Sequence, residues 1–242
     1  RMFPVTDQSQ TVIDCLMDAA RKAKVELRCQ CSAEEVAVIN PARADGARFC
    51  IKTGTGDLLY ARNLLIASGG TRLAAGAKLA SSLGHQLIPH VPSLFTFKID
   101  HPLLLDLPGL SVTPTESRIA SSKFSSKGPL LITHWGLSGP GILKLSAWEA
   151  RQLAECDYHF TLEINWLPDE KVISSLQNYR TAHGKRQVCN HCPFPTIPKR
   201  LWRRFVELAG IPPETLWAQL PKSSSRALNS LLSQCQLPVS GK

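Results

Sequence analysis

Asn63-Leu64-Leu65-Ile66-Ala67-Ser68-Gly69-Gly70 is the stretch on which the reading of the fold turns. Leu64, Leu65 and Ile66 form a continuous apolar run, the pattern of a strand buried on both faces, usually in a parallel sheet. The run ends in small residues and two glycines, where bare backbone lets a ligand lie close. Amides of such a turn can donate to a pyrophosphate, as they do at dinucleotide sites. A tight strand-to-helix turn with no ligand is the competing reading. A helix follows, with Ala74, Ala77, Leu79, Ala80 and Leu83 on its apolar face and Gly84 as its C-cap.

Before this stretch, Val12, Cys15, Leu16, Ala19, Ala20 and Ala23 mark one face of a helix over 9–24, with Arg21, Lys22 and Lys24 in its last turns and Thr6 or Ser9 as its cap. Val25, Leu27, Cys29 and Cys31 alternate and read as a strand. Val36–Ile39, Arg48–Thr53 and Leu58–Tyr60 form a small antiparallel meander, turned at Asp45-Gly46 and at Gly54–Asp57. No G-x-G-x-x-G follows a strand in the opening residues, so the phosphate-binding turn of a dinucleotide fold is not in view.

After it, Pro92, Pro102, Pro108 and Pro114 punctuate short segments of a β-rich module, including Leu94–Ile99. Leu130-Leu131-Ile132 is a short buried strand running into Thr133-His134-Trp135-Gly136-Leu137-Ser138-Gly139-Pro140-Gly141, which opens a helix from about Ile142 to Leu153. Tyr158–Asn165 alternates as a further strand. From Asp169 the chain reads as helices over Glu170–Tyr179, Lys199–Ala209 and Pro213–Leu220.

Composition bounds the partners. The 242 residues carry 28 basic and 19 acidic side chains, a formal charge of +9. That favours acidic partners such as nucleic acid or a phosphate-bearing cofactor. Nine basic residues from Arg180 to Arg226, Arg200, Arg203 and Arg204 among them, face just Glu207 and Glu214. No apolar run approaches the roughly 18–20 residues of a membrane span. No charged-then-apolar leader follows Arg1-Met2-Phe3-Pro4, so the expectation is a cytoplasmic protein with its eight cysteines reduced. An opening without Met reads as a fragment. Cys189-Asn190-His191-Cys192 is the one tight thiol cluster, and with no second pair at matching spacing it reads as a loop, not as a zinc site.

The second chemical signal is Thr133–Gly141. A helix that opens after glycines is a natural anion site, because its first amides lack partners. Ser138 can cap it and Pro140 suits its first turn. His134 is the candidate acid or base, since an imidazole titrates near neutral pH. Gly136-Leu137-Ser138-Gly139 is not a nucleophile elbow, because Pro140 stands where that motif needs glycine.

Three stretches taken together resemble a family of bacterial and plastid flavoproteins, the NAD(P)/FAD-dependent oxidoreductases that include aminoacetone-oxidase-like FAD-binding enzymes. They are Arg1–Val5, Leu64–Gly70 and Thr133–Gly141, supported by Leu83-Gly84-His85, Pro92-Ser93-Leu94, Pro108-Gly109-Leu110 and Leu167-Pro168. The resemblance runs in order from residue 1 to about 210. It implies an α/β protein, α+β within this chain: part of a Rossmann-like FAD domain (1–89), an inserted β-barrel-like module (90–167) and a helical module (168–242).

The resemblance also implies FAD as cofactor, with Phe3, Pro4, Cys31, Ala67, Ser68, Gly69, Gly70, Gly136, Ser138 and Gly139 around it, NAD(P)H as electron donor and a small-molecule substrate. The family's first and last glycine-rich segments have no counterpart between residues 1 and 242, so the chain alone is expected to be inactive. The loop after Gly70 is shorter than the family's. The alternative reading is a basic module bound to nucleic acid or the ribosome, its flavin site lapsed. No metal site is expected.

Overall fold

The structure, a computed structural model, describes residues 3–69 and 75–242. The chain divides into two compact units, Arg1–Pro89 and His90–Lys242.

The first unit holds helix α1 (Ser9–Lys22), strands β1 (Ala33–Val38), β2 (Phe49–Thr53) and β3 (Leu58–Ala61), and helix α2 (Ala75–Ser82). The strands form the expected meander, in the order β1-β2-β3, with Val36 opposite Ile51 and Cys50 opposite Tyr60. Its first turn is fixed by the Asp45 carboxylate, which accepts from the Ala47 amide at 3.0 Å, while Gly46 takes a φ of 82°. Arg62 donates to the Asp45 carbonyl at 2.9 Å and ties β3 to that turn. Gln8 stands at the cap position of α1 without a side-chain bond, while the Thr6 hydroxyl accepts from the Gln8 amide at 3.4 Å and shares a hydrogen bond with the Thr11 hydroxyl in the first turn. Among the described residues of this unit, Val36, Ala47 and Thr53 are the buried ones.

Two expected strands do not form here. Val25–Cys31 is irregular chain with a turn at Cys29-Gln30, and Leu64–Ile66 is unpaired, with Leu65 86% exposed. An apolar run becomes a buried strand when neighbours pair with it and cover its faces. Among the described residues nothing pairs with either segment, and every strand pair is antiparallel.

The second unit carries the core. Strands β4 (Phe97–Lys98), β5 (Ser111–Ile119), β6 (Ser125–Thr133), β7 (Gly136–Ser138), β8 (His159–Asn165) and β9 (Cys235–Ser240) form one sheet in the order β4-β7-β6-β5-β8-β9. The Lys98 amide donates to the Gly241 carbonyl at 2.9 Å, so the last strand meets the first and the sheet nearly closes into a barrel. A register shift in β5 falls between Val112 and Thr115, where Pro114 cannot donate to a ladder. Helices α3 (Pro140–Trp148) and α4 (Ala150–Glu155) follow β7. Gly128 and Gly141 bring α3 against β6: a Cβ on Gly128 would lie 3.2 Å from the Gly141 amide nitrogen.

Helices α5 (Val172–Ala182), α6 (Lys199–Leu208) and α7 (Lys222–Ser233) pack on this barrel. In α6, Leu201, Trp202, Phe205 and Val206 form the buried face that the periodicity announces. Trp202 and Trp217 stack at 6.2 Å, and the Trp202 indole donates to the Val188 carbonyl at 2.7 Å. The Trp166 amide, just past β8, donates to the Leu232 carbonyl at 2.8 Å and staples α7 to the barrel. The helical module thus does not run to the last residue as expected, because β9 returns to the barrel. The helix expected over Pro213–Leu220 is a single 3-10 turn, Trp217–Gln219.

Candidate functional site

In the first unit the expected cofactor residues sit on open backbone. Ala67, Ser68 and Gly69 are exposed. Gly69 has a φ of 77°, and a Cβ there would have nothing within 4 Å. The described part of the turn therefore leaves free space beside a glycine held in a conformation that other residues avoid, which fits the approach of a bulky group such as a dinucleotide. On its other side the turn is tight: a Cβ on Gly76, in the first turn of α2, would collide with the Ser68 hydroxyl. Gly70 lies outside the described residues. Phe3 is exposed and Pro4 half-buried. Cys31 follows a turn instead of ending a strand. It lines a cleft of about 360 Å³ with Glu26, Arg28, Ala33, Ile51, Thr53 and Leu59. Arg28 bonds Glu26 at 2.8 Å and holds that exposed carboxyl below its ordinary pKa.

In the second unit the barrel itself uses the glycines of the Thr133–Gly141 segment. Gly136, at a φ of 149°, has the Phe97 carbonyl pressed so close that any Cβ would collide with it. A Cβ on Gly139 would stand 2.8 Å from the Pro129 carbonyl. Both glycines therefore have a packing reason inside the barrel. Ser138 does not cap α3. Gly139 holds that position, and the Ser138 hydroxyl instead accepts from Thr96 Oγ1 at 3.0 Å. Pro140 stands in the first helical turn, as expected.

His134 is exposed at the tip of the β6–β7 hairpin. It lines a cleft of about 340 Å³ together with Asp100, His101, Leu105, Asp106 and Thr133. The tip is fastened: the Ile99 amide donates to the Trp135 carbonyl at 2.9 Å. His101 is the residue that sequence reasoning missed. Its signal was the His101-Pro102 pair at the start of a helical turn, where a side chain accepts a free amide. The Leu103 amide donates to His101 Nδ1 at 3.1 Å. A neutral ring that accepts at Nδ1 must carry its proton on Nε2. Burial lowers the His101 pKa from its ordinary value, against a smaller opposing pull from Asp100. The ring is thus set as a neutral donor, and among the described residues Nε2 has no hydrogen-bond partner.

The far wall of this cleft is held by the basic helix. Arg204 donates to the Leu105 carbonyl, Arg200 donates to the Asp106 carbonyl, and Arg204 also pairs with Glu207 at 2.8 Å. Arg203 turns to Asn190 at 3.1 Å instead, beside an open groove of about 810 Å³ bounded by Val206, Ile211 and Pro213. Two of the three arginines that the alternative nucleic-acid reading would use are therefore engaged with backbone. Cys189 donates to the Pro213 carbonyl at 2.9 Å, and burial pushes the Cys192 thiol up to about 12. A thiol held that high is protonated near neutral pH, which is the unreactive state for a nucleophile. No helix among the described residues is long and apolar enough to cross a membrane.

Comparison with known proteins adds to this geometry. Residues 91–242 match the model of the HI0933-like protein barrel and H2TH domain. The chain is 29% identical over 243 aligned positions to the ribosomal RNA dihydrouridine synthase of Escherichia coli (strain K12), covering 97% of this chain and 56% of that protein. It is 24% identical over 229 positions to the 3-dehydro-bile acid delta(4,6)-reductase of Clostridium scindens, covering 87% and 52%. The ribosomal RNA dihydrouridine synthase of Haemophilus influenzae is 27% identical over 170 positions, covering 66% and 39%. The chain spans about half the length of the first two relatives. Their names are those of oxidoreductase-type enzymes, in line with the flavoprotein oxidoreductase family that the sequence resembles.

Proposed function

The chain belongs to the HI0933-like family through the barrel and H2TH domain that fill residues 91–242, and on that footing we propose that it is part of a flavin-dependent reductase that adds two hydrogens across a carbon–carbon double bond conjugated to a carbonyl, with uridine in ribosomal RNA as the substrate. One observation carries the reading. The relatives' names differ in substrate, an RNA base in one case and a bile acid in the other, yet both describe saturation of a double bond. RNA is preferred over a small molecule because two of the three relatives act on it by name and because the chain carries a formal +9.

FAD would be held in the first unit by Phe3, Pro4, Cys31 and the Ala67–Gly70 turn, in a domain of Rossmann-like type, while 90–167 and 168–242 serve as barrel and helical modules. Gly136, Ser138 and Gly139 support the barrel. When bound, a flavin reduced by NAD(P)H supplies the hydride. The chain's own part is to place the substrate and to move the proton. Saturating the bond takes one hydride and one proton, and the His134 imidazole, exposed at the cleft, is the proton donor in this reading.

The test uses the whole protein. Its visible spectrum should show the bands of an oxidised flavin. After anaerobic reduction and incubation with unmodified ribosomal RNA, nucleoside mass spectrometry should find uridine heavier by two hydrogens. A protein without flavin bands removes the redox reading. A flavin-loaded, reducible protein that leaves uridine unchanged removes the RNA reading.

A further inference from the structure

We propose that the cleft at the junction of α3 and α4 holds one unpaired base of single-stranded RNA, with the Trp148 indole as its stacking plate. This rests on the reading of the substrate as RNA and goes beyond it by naming the residues that grip the strand.

Three observations converge on this cleft. The first is that the indole itself lines it. A cleft of about 480 Å³ is bounded by His90, Val91, Trp148, Glu149, Arg151 and Gln152. Trp148 is 71% exposed, while Trp166, Trp202 and Trp217 are fully buried.

The second is that the ring is held in place. Trp148 stacks on Phe124, with ring centroids 5.7 Å apart and planes 28° from parallel. Phe124 in turn packs against the core. The turn between β5 and β6, which carries Phe124, is fastened to the α3–α4 junction by side chains. The Ser122 hydroxyl donates to the Glu149 carboxylate at 2.8 Å and accepts from the Phe124 amide at 2.9 Å. The Gln152 side-chain amide donates to the Ser121 hydroxyl at 3.0 Å. A plate backed by a second ring and still open to solvent is the arrangement in which a base can extend the stack.

The third is the chemistry of the rim. Among the described residues of the cleft, Trp148 is the one large exposed apolar side chain; Val91 is half-buried and Ala150 buried. Glu149, the carboxylate of the rim, is engaged by Ser122. Lys144 stands one helical turn before Trp148 on α3 and is exposed, and Arg151 stands three residues after it. A docked protein segment would ask for a broad apolar groove. A single indole in a polar rim with cations before and after it suits a base with its flanking phosphates. Stacking of this kind accepts any base, because every base has a flat face.

The test measures fluorescence anisotropy of labelled decauridylate, and of an abasic ribose-phosphate oligomer of equal length, binding to the whole protein at physiological salt. Trp148→Ala should weaken decauridylate about tenfold or more, since stacking on one aromatic is of that order, and should leave the abasic oligomer unchanged. Trp148→Phe keeps a flat ring and should restore most of the binding. Irradiation of the wild type with an iodouridine-substituted oligomer should crosslink Trp148, as located by peptide mass spectrometry. If decauridylate binds, Trp148→Ala matches the wild type and the crosslinks fall elsewhere, the plate is wrong while the RNA reading stands. Equal weakening of both oligomers by Trp148→Ala would mean a disturbed surface without stacking, and overturns the plate as well. If neither oligomer binds the wild type, the RNA reading fails and the plate falls with it.

Discussion

Arg204, in α6, donates to the carbonyl oxygen of Leu105 at 3.1 Å across 99 residues of chain. Its side chain is 21% exposed, so this bond joins the helical part of the second unit to the wall of the His101–His134 cleft away from most of the solvent. Arg204→Met keeps the apolar stem and deletes the guanidinium. It should lower unfolding stability by about 1–3 kcal/mol, as for other hydrogen bonds from charged groups. Glu207→Gln removes just the exposed side of the same network and should cost under about 1 kcal/mol. Urea titrations of the two variants check the ranking, and equal small losses would show that the carbonyl bond does not hold the wall.

Gly136 and Gly109 separate crowding from backbone strain. Both have positive φ, 149° and 85°, but a Cβ on Gly136 would strike the Phe97 carbonyl, while a Cβ on Gly109 would meet nothing within 4 Å. Gly109→Ala should therefore cost about 1–2 kcal/mol from the left-handed backbone alone. Gly136→Ala must also push β4 away from β7, and should cost about 4 kcal/mol or more. Thermal melts of the two variants should differ clearly. Similar melting temperatures would contradict the close approach.

The His101 ring gives stability a pH dependence of known sign. Its folded pKa lies below the ordinary 6.5 because burial disfavours the charged ring. The unfolded chain therefore takes up the proton first as the pH drops. The contribution is complete above about pH 6.5 and is lost as the pH falls through 6.5 toward the folded value. His101→Asn removes this group while leaving the other histidines in place. The fall in urea midpoint between about pH 7.5 and pH 5.5 should be smaller in the variant than in the wild type. An unchanged or larger fall would reverse the sign argued here.

Thiol reactivity should follow burial. Cys192 is pushed up to about 12 and Cys235 up to about 11, in both cases by loss of solvent around the thiolate. Cys15, Cys29 and Cys156 are exposed. Iodoacetamide at about pH 8 should label the exposed three first and reach Cys192 and Cys235 after unfolding, because the thiolate is the reactive form. Peptide mass spectrometry reads the order directly. Labelling of Cys192 as fast as Cys15 in the folded chain would reopen a chemical role for the Cys189–Cys192 loop.

Local features were legible and partner-dependent ones were not. Asp45-Gly46 announced its turn because a side-chain cap and a positive φ are both written in two residues. The α6 helix was legible over Lys199–Ala209, and its buried residues Leu201, Trp202, Phe205 and Val206 repeat at helical spacing. Leu64–Ile66 misled because its apolar run describes what a strand prefers, and pairing depends on residues elsewhere. Strand β9 was missed in the opposite way. Cys235, Leu237 and Val239 alternate cleanly inward, but Pro238 argues against a strand unless its position can spare an amide donor. In α7, Lys222-Ser223-Ser224-Ser225 hides a helix behind weak formers, and the buried Leu228 and Leu232 hold it. The cleft was half visible: His134 drew notice beside its glycines, while His101 gained its meaning from an amide that the turn alone frees.

The bond between Lys98 and Gly241 also dictates an order of assembly. The barrel's seam is made by the last of its strands to be synthesised, after the three helices that follow β8. Until β9 arrives, β4 and β8 each present an open edge to other chains. A nascent chain must hold this half-built sheet through the making of residues 166–234, so the demand on chaperones is greatest during translation, and a ribosome that stalls in α7 would release an aggregation-prone product.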